Sequence, residues 1–347
     1  MTVSEIKVAD GIKGWNVSNG DMSFSAMEFG CTITNLFVPD KSGKKIDVLL
    51  GFDDFEDWKN GTQAHNALVG RFANRIGGAS FVLDGRKYGL DRNNGANCLH
   101  GGFFRYEKQV WRGEPFQSQD EAGIVFTRKS PDDEQHFPGN LKIKAVYTLN
   151  TKNQLKLEYF AESDKPTPVN LTNHAYFNLD GCGDILDHKV WLDSDKILEI
   201  KDMVPTGEFL DVSKKENKAF DFRNLKKVGE DFGLVSKADQ SMGATRGYDH
   251  CFVTKACEMG AVLAGTCESE KSGIKMKIYT NQRGIQFYTG NYLKGPGKNG
   301  HEQKPQGGLC FEAERFPDAV NHQNFPSCIL RPGEEYHQIT FYEFGLA

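Results

Sequence analysis

The sequence predicts an all-β protein, one large antiparallel sandwich across residues 1–347, and three observations carry that prediction. Apolar and polar residues alternate along several segments, as they do in strands with one buried face. Turn-forming pairs separate those segments, in a chain with 37 glycines. Helical periodicity is scarce.

Taken in chain order, Asp53-Asp54-Phe55-Glu56-Asp57-Trp58 is the best candidate for a short helical turn. Asp84-Gly85 is a turn former, and Pro138-Gly139 punctuates the chain before Leu141–Leu149, where Leu, Ile, Ala, Tyr and Leu occupy alternate positions. Leu155–Phe160 and Ile274–Thr280 repeat that pattern, and Asn299-Gly300 marks another turn. Gly247-Tyr248-Asp249-His250 reads as a turn entering the strand Cys251-Phe252-Val253. No internal repeat, low-complexity tract or linker-like shift in composition divides the chain.

Composition narrows the function. Lys and Arg number 42 against 47 Asp and Glu, a net charge of −5 without a basic block, which argues against a nucleic-acid partner. No apolar run approaches the length of a membrane span, and Met1-Thr2-Val3-Ser4-Glu5 does not open a secretion signal. The expectation is a soluble, cytoplasmic protein with no membrane partner. Cysteines 31, 98, 182, 251, 257, 267, 310 and 328 are scattered without a Cys-x-x-Cys pair, so reduced thiols and no metal are expected.

Polar side chains cluster in several places. Asn170-Leu171-Thr172-Asn173-His174-Ala175-Tyr176-Phe177-Asn178-Leu179 crowds amides, a histidine and a tyrosine into an otherwise apolar stretch. A lone His174 reads as a core histidine satisfied by Asn173 or Tyr176, but Asn170, Asn173, Tyr176 and Asn178 offer more polar capacity than a core strand easily satisfies, which argues for a site. Asn97-Cys98-Leu99-His100-Gly101-Gly102 places a second histidine before two glycines, through which the backbone can approach a ligand closely. Gly70-Arg71-Phe72-Ala73-Asn74-Arg75-Ile76 sets two arginines and an amide among apolar residues, either as surface charges or as buried guanidinium groups fixing hydroxyls. Leu309-Cys310-Phe311-Glu312-Ala313-Glu314 puts two carboxylates on one side of an extended chain, facing either solvent or a cleft. Two histidines, several amides and no metal-ligand spacing point to proton transfer on a polar, uncharged substrate.

In this order, Asn74-Arg75-Ile76, Asn97 to Gly102, Asn170 to Leu179, Gly247 to His250, Gln286-Phe287-Tyr288-Thr289-Gly290-Asn291 and Cys310-Phe311-Glu312 resemble the motifs of the aldose 1-epimerases, or galactose mutarotases. Pro205-Thr206-Gly207-Glu208, Phe220 to Arg223, Phe316 to Ala319 and Leu330 to Glu334 extend the resemblance over nearly the whole chain. It implies a large antiparallel β supersandwich, a sugar cleft on one face, no cofactor and no metal. By position, Glu312 resembles the family's general base and His174 its general acid, with His100 assisting near the ring oxygen. Asn74, Arg75, Tyr176, Asp249 and Gln286 resemble its hydroxyl-binding residues. Glu314 stands where many relatives have glutamine, so a glutamine is expected to serve there with most activity retained.

The activity so implied is interconversion of the α and β anomers of free aldohexoses such as galactose and glucose. Two alternatives share the sandwich. A hexose 6-phosphate 1-epimerase would want several arginines converging on phosphate, and only Arg71 and Arg75 fall inside a motif. A non-catalytic carbohydrate-binding module would not need a carboxylate opposed by two histidines.

Overall fold

Alternation along the chain is what builds the main sheet. In the strand Leu141–Asn150, residues 141, 143, 145, 147 and 149 are buried, and in Gln154–Ser163 the buried set is 155, 157, 159, 161 and 163. A computed structural model describes residues 1–238, 247–256 and 260–347. Among these, nine antiparallel strands hydrogen-bond in the order Arg112–Gln117, Glu121–Ser130, Leu141–Asn150, Gln154–Ser163, Tyr336–Leu346, Ile274–Thr280, Val262–Glu268, Lys189–Leu192 and Lys226–Lys227. The three strands predicted from alternation all lie in this sheet.

Two five-stranded sheets pack on it. One is an N-terminal meander, Thr2–Ala9, Ile12–Ser18, Ser23–Met27, Thr32–Pro39 and Lys45–Asp47, whose Trp15 meets Phe126 of the large sheet edge-on at 6.1 Å. The other runs Val204–Asp211, Lys196–Lys201, Asp249–Val253, Gly284–Tyr288 and Cys310–Glu314. The large sheet ties to this last strand through Tyr342 Oη, which donates to the Phe311 carbonyl at 3.2 Å, and Gln338 Nε2, which donates to the Ala313 carbonyl at 2.7 Å. One core cluster gathers Trp15, Phe126, Tyr147, Tyr159, Phe287, Phe311 and Phe344 from all three sheets. Each large side chain buried this way contributes about 1.5–3 kcal/mol. The predicted antiparallel β sandwich is the architecture observed.

The turn signals sit where strands reverse. Asp84 and Gly85, at φ +49° and +79°, join the hairpin strands Ser80–Leu83 and Arg86–Gly89, and two positive φ values in a two-residue loop are why an Asp-Gly pair stands there. The short helix is Phe55–Asn60, two residues later than the sequence pattern begins. A second helix, Phe232–Ala238, carried no readable periodic signal at seven residues. No helix among the described residues is long and apolar enough to cross a membrane. The described cysteines are all free, and Cys257 lies outside the described residues.

Candidate active site

Register in the third sheet sets up the site. Gln286 pairs with Cys251 on one side and Glu312 on the other, while Asp249 pairs with Tyr288, which pairs with Cys310. Because side chains alternate along a strand, Asp249, Cys251, Gln286, Tyr288, Cys310, Glu312 and Glu314 share one face, and Phe252, Phe287 and Phe311 point the other way into the core. The polar face is covered by two short pairings. Thr172–Asn173 pairs with Leu68–Val69, which delivers His174, and Arg75–Ile76 pairs with Cys98–Leu99, which delivers Asn74, Arg75 and His100.

A cleft of about 630 Å³ opens between these elements, lined among others by Asn74, Arg75, His100, His174, Asp249, Gln286 and Glu312. His174 Nε2 stands 3.6 Å from Glu312 Oε1, and both residues are buried. The His174 ring stacks on Tyr176 at 4.9 Å and lies 5.6 Å, edge-on, from His100. The Asn74 N–H donates to His100 Nδ1 at 3.1 Å. His100 is thus the neutral tautomer whose hydrogen is on Nε2, a donor suited to a sugar oxygen. Gln286 Nε2 donates to Asp249 Oδ1 at 2.6 Å, and Arg75 Nε to Asn94 Oδ1 at 3.1 Å.

Electrostatics in the cleft favour neutral forms. Burial, then the charges of Glu314 and Asp249, hold the Glu312 carboxyl well above the ordinary carboxylate range. Glu314 is pushed up to about 8, chiefly by burial. Burial first, then His65, brings His174 down to about 3. His100 is held well below its usual value by burial and then by His174. Burial thus favours the neutral forms of Glu312 and His174, and a polar ligand offering hydrogen bonds to both would shift the balance toward the charged pair. A proton contested in this way suits acid/base exchange.

Several sequence readings land elsewhere. Tyr176, expected among the hydroxyl-binding residues, does not line the cleft: it is fully buried behind His174, its hydroxyl donating to the Gln63 carbonyl at 3.3 Å. Asn178 bonds the carbonyls of Gly183 and Gly307, so its amide is structural. Arg71 is buried, yet its guanidinium reaches the carbonyls of Pro138 and Gly139 and the hydroxyls of Thr167 and Ser130 rather than the cleft. Gly101, at φ +86°, is needed because a side chain there would strike the Gly70 carbonyl, and only Gly102 of the pair borders the cleft.

The sequence also concealed contributors. Arg105 lines the cleft and pairs with the buried Glu107 at 2.7 Å, and Asn93 clamps the His100 loop by donating to the Leu99 and Gly102 carbonyls. His65, down to about 4 through burial, packs its ring at a tilt against Tyr176, 4.8 Å between centroids, and bonds Gln303 at 2.7 Å. Only its place in the apolar stretch Ala64–Val69 hinted at it. His174, Cys310 and Glu312 bring donor atoms within 4.8 Å of one another, a geometry that could hold a cation. A coordinating sulfur must be a thiolate, and burial followed by the Glu312 charge pushes the Cys310 thiol well up, so the trio fits proton exchange better.

A protein-family model described as aldose 1-epimerase matches residues 14–343. The chain belongs to the aldose 1-epimerase family. The galactose mutarotase of Bos taurus is 38% identical over 97% of this chain and 95% of its own, and that of Homo sapiens 39% over 92% and 90%. An aldose 1-epimerase of Escherichia coli strain K12 is 35% identical over 94% of this chain and 93% of its own. Among solved structures, an aldose epimerase homologue from C. elegans superposes with a TM-score of 0.86 at 30% identity, all of both chains being covered. A galactose 1-epimerase from Lactobacillus acidophilus NCFM does so at 0.85 and 24% identity, over 100% of this chain and 98% of its own. This family member is an isomerase that interconverts sugar anomers, which sets aside the non-catalytic module.

Proposed function

We propose that this chain interconverts the α and β anomers of free aldohexoses, galactose and glucose among them, with Glu312 as general base and His174 as general acid. The observation that carries this reading is their opposition across the cleft, carboxylate oxygen to imidazole nitrogen at 3.6 Å, with both buried. Glu312 takes the proton of the C1 hydroxyl while His174 gives one to the ring oxygen. The C1–O5 bond breaks, C1 becomes an aldehyde, and, in the charged pair that the bound sugar brings about, the proton lost by the His174 imidazolium is balanced by the one gained by the Glu312 carboxylate. After rotation about C1–C2 the exchange runs backward on the other face of C1. No covalent intermediate and no cofactor enter.

Around this pair, His100 donates from Nε2 toward the ring oxygen, and Asn74, Arg75, Asp249 and Gln286 bind hydroxyls. Their place on the cleft wall supports this, whereas Tyr176 acts as the surface on which the His174 ring rests. The hexose 6-phosphate alternative is disfavoured because Arg105 is neutralised by Glu107, and Arg71 is spent on carbonyls and hydroxyls. A core cluster that includes both Trp15 and Phe344 supports a single catalytic unit over 1–347, and free described cysteines support a reducing, cytoplasmic setting. Polarimetry of freshly dissolved α-galactose tests the proposal. Acceleration toward the equilibrium rotation is expected, and an unchanged rate overturns it.

A further inference from the structure

Arg105 lies just beyond the His100 loop that Asn93 clamps, and it lines the cleft. Two contacts hold it from behind. Its Nε lies 2.7 Å from Oε1 of the buried Glu107, in an ion pair, and its Nη2 donates to the Thr62 carbonyl at 3.4 Å. No further acceptor among the described residues takes an N–H from it, so three of the four Nη hydrogens remain on a side chain that is only 15% exposed. The guanidinium is anchored, and most of its donors are unspent.

Neighbours fix the side of the cleft on which it stands. Thr62 and Gln63 line the cavity too, and the Gln63 carbonyl accepts from Tyr176, the ring on which His174 rests. Together with the chain link to His100, this puts Arg105 on the histidine side. The charges agree, since Arg105 bears on both His174 and His100, whereas the arginine that bears on Glu312 is Arg75. In the acid/base reading the histidines serve the ring oxygen and Glu312 serves the C1 hydroxyl. The ring oxygen joins C1 to C5, so a group beside the histidines and away from Glu312 meets the substituent of C5, which in an aldohexose is the hydroxymethyl group that carries O6. Glu107 decides what can bind there, because a guanidinium already paired with a carboxylate offers donors without surplus charge, which suits a hydroxyl better than a phosphate. We propose that Arg105 is a specificity-determining residue for the epimerisation: it donates to the C6 hydroxyl of the bound sugar and so favours aldohexoses over sugars that lack O6. This deepens the acid/base reading of the cleft and rests on it.

The test compares galactose with 6-deoxygalactose, which differ only by O6, on the full chain. Arg105→Met removes the donors, and adding Glu107→Gln removes them without leaving a buried carboxylate unpaired. Polarimetry gives kcat/KM for each sugar. The parent should prefer galactose by roughly ten- to a hundredfold, the size of one hydrogen bond to a charged group, and both variants should bring that ratio near one. A change in the basicity of His174 or His100, or a general loosening of the cleft, acts on both sugars alike and leaves the ratio where it was. A parent that takes the two sugars equally overturns the proposal, as does a variant that keeps the parent ratio. A parent that prefers galactose 6-phosphate to galactose overturns it too, since the guanidinium would then serve an anion. If Arg105→Met does not fold, the double variant decides; failure of both makes Arg105 a structural residue and overturns the proposal. Calorimetric titration with the two sugars reads the same contact without turnover, so a parent that binds galactose more tightly than 6-deoxygalactose, loses that preference in the variants and accelerates neither mutarotation refutes the anomer reading while supporting the contact from Arg105.

Discussion

Replacing Glu312 by glutamine should move activity and stability in opposite directions. A carboxylate and an imidazolium 3.6 Å apart attract by about 5 kcal/mol at an effective dielectric near 20. That attraction is available when the bound sugar brings the pair to its charged form, and the substitution removes both it and the acceptor of the C1 proton. Loss of one positioned base typically lowers turnover ~10²–10⁴-fold, or about 3–5 kcal/mol of barrier. Stability follows from the titration. The folded-state pKa of Glu312 is raised, by burial first, so over the range between its unfolded and folded values the native chain holds a proton that the unfolded chain has released. Native stability therefore falls as pH rises through that range, and an uncharged glutamine escapes the fall. Glu312→Gln should melt above the parent at pH 7–8, with the gap closing below about pH 4, where the unfolded carboxyl is protonated as well. Polarimetry measures the first effect and calorimetric melts at the two pH values the second. Turnover near that of the parent would remove Glu312 as the base; a variant less stable than the parent at pH 8 would show that the carboxyl is not held under a burial penalty.

Other perturbations separate the remaining roles. His174→Asn should lower turnover at least ~10²-fold while sugar binding, followed by titration calorimetry, survives; parent-like turnover would take the imidazole out of the mechanism. Tyr176→Phe removes only a hydroxyl bonded to the Gln63 carbonyl and should change kcat less than ~10-fold, whereas Tyr176→Leu removes the ring under His174 and should lower kcat more than it raises KM. Arg71→Ala should depress the melting temperature, with a loss of about 3 kcal/mol or more in urea unfolding, because the Pro138 and Gly139 carbonyls and the Thr167 and Ser130 hydroxyls lose their donor, while the KM of the folded fraction stays put. Dialysis against a chelator should leave mutarotation unchanged; recovery on adding zinc to a chelated, inactive sample would make His174, Cys310 and Glu312 a metal site after all.

What the sequence determined by itself is what depends on local periodicity and turn chemistry. Leu141–Leu149 alternates because one face of its strand is buried, and Asp84-Gly85 stands where a hairpin needs two positive φ values. The same period of two placed Glu312 and Glu314 on one face before any partner was visible. Tertiary structure decided everything that depends on which strands become neighbours. Asp249, Gln286 and Glu312 are separated by dozens of residues, and only the strand order and register of the third sheet make them one wall. Arg71 and Arg75 are indistinguishable in sequence, yet one is drawn to buried carbonyls and hydroxyls and the other to the cleft, because the burial of a guanidinium is set by what lies opposite it. Tyr176 reads as a sugar ligand from its motif and ends beneath His174, its ring stacked on the imidazole and its hydroxyl bonded to the Gln63 carbonyl.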